Sequence, residues 1–274
     1  MDKFENEGQT YPEAHLVFEG LVIHRVPYKE RDLIVKLLLR NGMVGSFYIY
    51  GGQGGGKSHK PSIFELGSMM RIMIKDQKTK IDSSDLMISA EHSRIWEPQS
   101  VRHDIRAFYL VCLYFELISK FSITFQPGTS DYQNLDHEGV FSVVSNALFY
   151  IEDALVKKQF EAGQHLTLFM VKLLFHLGIM PDTDNCSYCQ ADLLEIPGVV
   201  FMPANGQFAC QNCAQGENER GFLLRIKKGY QTRYQEYAGF LGTNFSECDK
   251  LIQYFCHQYH LRPVELRSYS LLFK

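Results

Sequence analysis

Residues 16–50 read LVFEGLVIHRVPYKERDLIVKLLLRNGMVGSFYIY, and this stretch decides the first half of the fold. Three runs rich in Val, Ile, Leu and Phe (16–26, 33–39 and 43–50) are separated by the polar turn PYKERD and by Asn41-Gly42, a tight-turn pair. Two more runs follow, SMMRIMI at 68–74 and DLMISAE at 85–91. Five short strands in about 80 residues predict a small closed barrel, and five is the strand number of an OB-fold.

From about residue 94 the hydrophobic period changes to that of helices. RHDIRAFYLVCLYFELISKF (102–121) reads as one helix, and TFQPGTSDYQN (124–134) as loop. Val140, Val144, Leu148, Ile151 and Leu155 mark an amphipathic helix over 136–158. HLTLFMVKLLFHLG (165–178) is a third helix, stopped by Gly178 and Pro181. Helical text resumes near 221 and runs almost to the end, with breaks expected at Gly239–Thr243 and at Pro263. The fold class is therefore α+β: an N-terminal five-stranded OB-fold barrel, an α-helical domain and an inserted four-cysteine zinc ribbon. The expected partition is a flexible leader at 1–13, a barrel at 14–92, helices at 93–182, a zinc-binding module at 183–216 and the remaining helices at 217–274.

The zinc expectation comes from spacing. CSYC and CQNC place Cys186, Cys189, Cys210 and Cys213 in two C-x2-C knuckles with 20 residues between them. Each knuckle bends two thiolates toward one point, and two knuckles close a sulfur tetrahedron around Zn²⁺. Between them, VVFM, Asn205-Gly206 and QFA read as a hairpin. Four thiolates leave no open coordination position, so one structural zinc ion is expected. A redox C-x-x-C uses a single pair at a helix start, which this pattern lacks. Cys112, Cys248 and Cys256 sit singly among apolar residues and read as small buried hydrophobes.

The chain has 274 residues, 45% hydrophobic and 22% charged, enough for a real core. The start, MDKFENEGQT, has no apolar signal-peptide core. The apolar stretches 107–118 and 166–180 are broken by Glu116 and Lys172, short of the ~18 residues that a membrane span needs. An odd cysteine count without a secretory signal points to a reducing cytoplasm. A secreted, membrane or disordered protein is not expected. The net charge of -3 is uneven: eleven Lys/Arg against four Asp/Glu give residues 20–80 a charge of +7, while seven against fourteen give 81–185 a charge of -7. One basic block within an acidic chain is how a nucleic-acid site hides behind a neutral isoelectric point. The candidate DNA contacts are Arg25, Lys29, Arg31, Lys57 and Lys60, with Tyr48 and Tyr50 placed on one strand face beside them.

GGQGGGKS (51–58) matches a phosphate-binding P-loop letter for letter. A P-loop needs a helix starting at its lysine. Pro61 follows three residues after Ser58, and SIFEL is too short for a crossover. The stretch reads instead as a glycine-rich strand connection carrying Lys57 and Lys60. No G-x-S-x-G or H-E-x-x-H occurs, and His257 and His260 have no third ligand nearby.

Four stretches carry a family resemblance: GLVIHRVPYKERDLIVKLLLRNGMVGSFYIYGG, KLLFHLGIMPDTDNCSYC, GQFACQNCA and YHLRPVELRSYSLL. They resemble, in the same order, the opening strands, the helix leading into the first zinc knuckle, the second knuckle and the C-terminal end of the RecO family of bacterial recombination mediators. The resemblance implies a cytoplasmic, nucleoid-associated protein without catalytic residues. It implies binding of single- and double-stranded DNA and annealing of complementary strands. It also implies work with RecR and the C-terminal tail of SSB to load RecA, an indirect partner, on SSB-coated strands. The rival classes are a P-loop NTPase and a zinc-ribbon transcription regulator.

Overall fold

The computed structural model describes residues 15–55, 60–61, 63–75, 86–125, 138–240 and 245–273. Strands β1 (His15–Tyr28), β2 (Asp32–Leu39) and β3 (Val44–Ile49) form an antiparallel meander. Alternation builds it: Leu33, Val35 and Leu37 of β2 point into the barrel and are buried, while Lys36 between them is exposed. Two-residue strands β4 (Gly54–Gly55) and β5 (Lys60–Pro61) pair as a hairpin. Then come β6 (Met69–Lys75) and β7 (Leu86–Trp96). The barrel closes in the order β1-β2-β3-β7-β6, the β3–β7 pair being parallel. This is a closed five-stranded barrel, as the strand count predicts.

β1 is long enough to pair with two neighbours in succession. Its first half pairs with β6 and its second half with β2, and a bulge between Val22 and His24 bends it from one to the other. Gly20 lies at the crossing, where a Cβ would stand 2.6 Å from the Leu38 carbonyl oxygen, so only glycine fits. Val22, Val35, Leu37, Phe47, Ile49, Met70 and Ile72 fill the interior with no exposed surface. Truncating one of them, as in Leu37→Ala, costs about 2–5 kcal/mol.

The glycine-rich stretch, expected as a connection between strands, contains a short paired segment. Gly54 pairs with Pro61 and Gly55 with Lys60, so extended backbone stands where a P-loop continues its helix. Lys57 lies outside the described residues, and only the backbone of Lys60 is described.

Helices α1 (Ile105–Phe121), α2 (Glu138–Val156) and α3 (Ala162–His176) follow. Asp104 caps α1 by accepting from the Ala107 amide at 2.9 Å. The 139–156 window of α2 is long and apolar enough to cross a membrane, although the two apolar stretches noted in the sequence are not. Val140, Val144, Leu148 and Ile151 of α2 are buried in the helical core, and Glu152 accepts from the Ser100 and Val101 amides. α2 is thus a core helix. Hairpin β8 (Val199–Met202) and β9 (Gln207–Cys210) precedes α4 (Arg220–Gln231), α5 (Phe245–Gln258) and the short α6 (Tyr269–Leu272). The first break in this last helical segment falls at Thr232, earlier than the expected Gly239: its hydroxyl bonds the Lys228 carbonyl at 2.8 Å as the backbone turns extended. Residues 241–244 lie outside the described residues.

Barrel and helices share one core. Leu21, Ile23, Leu38, Val44 and Met69, on the outside of the barrel, pack with Leu113, Leu117 and their neighbours on the helices. Val44 extends the ladder, donating to the Ile123 carbonyl at 2.9 Å and accepting from the Phe125 amide at 2.8 Å.

Candidate nucleic-acid face and four-cysteine cluster

Cross-strand register assembles a face on the outside of β1, β2, β3 and β7. One row holds Val26, Ile34, Tyr48 and Ile88; the next holds His24, Lys36, Ser46 and Leu86. Tyr28 and Asp32 stand opposite each other at the hairpin tip. Three tyrosines cluster there edge to face: Tyr28 and Tyr48 at 5.6 Å, Tyr48 and Tyr50 at 4.7 Å between ring centroids. Tyr48 is only 7% exposed, whereas Tyr28 is 43% and Tyr50 62% exposed, so one ring braces two that face solvent. Tyr48 donates its hydroxyl to Asp32, which also accepts from the Gly51 amide at 3.0 Å. The hydrogen bond to the Asp32 carboxylate, with burial, pushes the Tyr48 phenol up to about 12. The same bonds, from Tyr48 first and then from Gly51, hold the Asp32 carboxyl below its ordinary value.

The turn between β1 and β2 presents the cations. Lys29 adopts φ +52°, a left-handed conformation uncommon for a side-chain-bearing residue. Its ammonium lies 5.5 Å from the Tyr28 ring centroid and 5.9 Å from that of Tyr48. Gln53 ties the glycine segment to this turn, donating to the carbonyls of Lys29 at 3.2 Å and Asp32 at 2.7 Å. Lys29, Arg31 and Lys36 are exposed and form no ion pair among the described residues.

Of the sequence-predicted contacts, Lys29 and Arg31 come together on this turn. Arg25 does not join them. Its guanidinium bonds Glu65 and the Phe64 carbonyl, both at 3.1 Å, against the base of the barrel. Lys57 and the Lys60 side chain lie outside the described residues. Two other arginines of the basic block are also engaged: Arg40 and Arg71 grip Glu19 at 2.7 and 2.6 Å. The sequence reading missed Tyr28 and Lys36. The period-two alternation of DLIVKLLL marks Lys36 as outward, and the signal was there to use.

The four-cysteine cluster lies in the 186–213 segment. Its sulfurs all lie within 4.8 Å of one another, and Cys189 and Cys210 are 3.8 Å apart at sulfur. A tetrahedron with metal–sulfur bonds of ~2.3 Å has edges of ~3.8 Å, so the donor set fits a tetrahedral thiophilic ion. Cys186 and Cys210 are buried, Cys189 and Cys213 exposed. Burial pushes the Cys186 thiol up, but amides of Cys189, Cys210 and Tyr188 directed at its sulfur outweigh this and bring it down to about 6. The hairpin register pairs Val199 with Cys210 and Phe201 with Phe208, and the turn at Gly206 has φ +62°. Phe201 and Phe208 then pack on Phe222 of α4 at 5.4 and 6.0 Å. Arg220 of α4 donates to the carbonyls of Leu193, Leu194 and Ile196, fastening the loop between the knuckles to the helical core. Cys248 and Cys256 are buried as expected, but Cys112 is half-buried.

By architecture, then, the chain is an α+β protein in which a five-stranded barrel with an aromatic and basic outer face is joined to helices that hold a four-cysteine cluster. Residues 133–268 match the family described as "Recombination protein O C terminal". "DNA repair protein RecO" of Thermodesulfovibrio yellowstonii is 25% identical over 214 residues, covering 77% of this chain and 75% of that protein. The chain belongs to the RecO family. Among solved structures, an asparaginyl-tRNA synthetase of Entamoeba histolytica in complex with asparaginyl-adenylate is 13% identical, with a TM-score of 0.26 over 56% of this chain and 34% of its own. That likeness is too low to carry an argument.

Proposed function

We propose that this chain is a recombination mediator in DNA repair, acting by binding rather than by catalytic turnover. The observation that carries the reading is the Tyr28–Tyr48–Tyr50 cluster with Lys29 over it. Exposed rings offer a stacking surface to any unpaired base, and Lys29, Arg31 and Lys36 offer phosphate contacts. Such a face is sequence-tolerant, as a protein that acts wherever a strand is exposed must be. Membership of the RecO family supports the finer reading. The chain binds single- and double-stranded DNA in the bacterial cytoplasm, anneals complementary strands, and with RecR and the SSB tail helps load RecA. One structural zinc ion held by Cys186, Cys189, Cys210 and Cys213 keeps the 186–213 segment folded.

The test is single-strand binding across a salt series. Replacing Lys29 and Lys36 by Gln should weaken binding equally on oligonucleotides of different sequence and reduce the log–log salt slope by about 0.7 per lost phosphate contact. Unchanged affinity at low salt would mean that the barrel face is not the binding site.

A further inference from the structure

The tyrosine face does not end at the barrel. His24 belongs to its second row, opposite Lys36. His24 also lines a cleft of about 620 Å³ between β1, α1 and the C-terminal segment. Tyr28 and His24 are four residues apart in an extended strand, about 13 Å at ~3.3 Å per residue. One surface therefore leads from the tyrosines past Val26 and Ile34 into the cleft.

The charges in the cleft are sorted. Its two carboxylates are already engaged: Glu116 accepts from the Ser268 amide at 3.0 Å, holding the C-terminal segment in place, and Glu265 pairs with Arg262 at 2.9 Å. Arg25, at its edge, is held by Glu65. Lys120, at the end of α1, and Arg267, in the C-terminal segment, line the same cleft, are exposed, and form no ion pair among the described residues. Two cations without an ion pair among the described residues, Lys120 near enough to Glu265 to act on it through space, thus line a groove that opens from an aromatic face.

We infer that this cleft is the continuation of the nucleic-acid track, with Lys120 and Arg267 binding the phosphates of the strand whose bases stack on the tyrosines. The inference rests on the reading of the barrel face as a nucleic-acid site. It adds that the binding site spans both halves of the molecule, so a strand longer than the barrel face alone accommodates gains affinity from the helical half. Ile23, Leu66, Cys112 and Phe115 also line the cleft, so its lining alone would suit an acidic peptide as well; its continuity with the tyrosine face is what favours a nucleic-acid strand.

The experiment compares the intact protein with the Lys120→Gln, Arg267→Gln double variant. Both side chains are exposed, so thermal melting should be unchanged. Binding is read by anisotropy on labelled oligothymidylates of about 5 nucleotides, near the lower end of the range of about 4–16 that a single barrel covers, and of about 20, beyond its upper end. On the longer strand the double variant should bind several-fold more weakly, with a salt slope lower by about 1.4 for two lost contacts. On the shorter strand it should match the parent, while Tyr50→Ala weakens both. Equal behaviour of the double variant and parent on both lengths, or an equal loss on both, overturns the inference. If Tyr50→Ala still weakens binding in those cases, the barrel-face reading survives. If the parent binds neither strand at low salt, that reading falls and the inference with it.

Discussion

Tyr48 of β3 donates its phenolic hydrogen to the carboxylate of Asp32 at the start of β2, and the Gly51 amide donates to the same carboxylate. One acidic side chain thereby orients the ring that braces Tyr28 and Tyr50, and it fixes the end of the glycine-rich hairpin. Removing the charge while keeping the shape, as in Asp32→Asn, should lower the Tyr48 phenol from about 12 toward its ordinary value near 10. With 15 tyrosines in the chain, bulk absorbance will not resolve the change, so the ring resonance of Tyr48 should be followed by NMR. A Tyr48 titration that is the same in both proteins would show that this bond does not govern the ring.

Tyr50 and Arg25 should behave in opposite ways. Tyr50 is 62% exposed, so Tyr50→Ala should leave stability nearly unchanged while weakening single-strand binding by about 1–3 kcal/mol, the worth of one stacked base. Arg25→Gln should leave binding nearly unchanged. Its partly exposed bridge to Glu65 is worth about 0–1 kcal/mol to folding, so only a small fall in melting temperature is expected. A large binding loss in Arg25→Gln with none in Tyr50→Ala would reverse the assignment of the face.

The position of Arg25, apart from Lys29 and Arg31, shows where the sequence stops being readable. Strict alternation along LVIHRV puts Ile23 and Arg25 on one face and His24 on the other. The bulge between Val22 and His24 inserts an extra residue, so Ile23 packs on the helical core, His24 joins Lys36 outside, and Arg25 turns to Phe64 and Glu65. No residue in that stretch announces a bulge. The barrel strands were readable because buried and exposed residues alternate at period two. The cysteine cluster was readable because two C-x2-C knuckles at this spacing are a recognisable way to bring four sulfurs together. The β4–β5 hairpin was not: Gly54, Gly55, Lys60 and Pro61 carry no hydrophobic pattern, and the neighbouring Gln53 bonds turn carbonyls that lie over 20 residues away in the chain. The cleft of Lys120 and Arg267 was out of reach as well, because it joins positions far apart in the chain through the packing of α1 on β1.

Cys210 is the buried member of the second knuckle, and its amide donates to the Cys186 sulfur at 3.3 Å. Cys210→Ser should therefore release the metal and open the 186–213 segment, seen as loss of bound zinc by metal analysis and of amide protection there. The barrel should keep its protection, because its core of Val22, Val35, Leu37 and Phe47 contains no residue of the cluster. Protein purified without chelator that carries no zinc would sink the assignment of the ion.

His165 gives the fold a specific acid sensitivity. It lies in α3, 1% exposed, between Phe160 and Tyr237, with ring centroids 5.4 and 5.1 Å away. Neither ring nitrogen has a hydrogen-bond partner among the described residues. Burial lowers its pKa from 6.5 to about 4. The folded state therefore keeps His165 neutral over a range in which the unfolded chain takes up a proton. The unfolded state binds more protons between those two values, so stability falls as pH drops from about 6.5 to about 4 and levels off below. The full effect is about 3 kcal/mol, at 1.36 kcal/mol per unit. The depressed carboxyls of Glu19, Asp32, Asp153 and Glu265 act mainly below this window, because their ordinary values are 3.8 to 4.5. His24 and His92 are also lowered, by burial, and remain in the variant, so the difference between proteins isolates His165. His165→Phe keeps an aromatic ring between Phe160 and Tyr237 and removes the titration. Urea unfolding across the window should show a shallower loss of stability in the variant than in the parent. Parallel curves would mean that the buried imidazole is protonated without cost, and the explanation would fail.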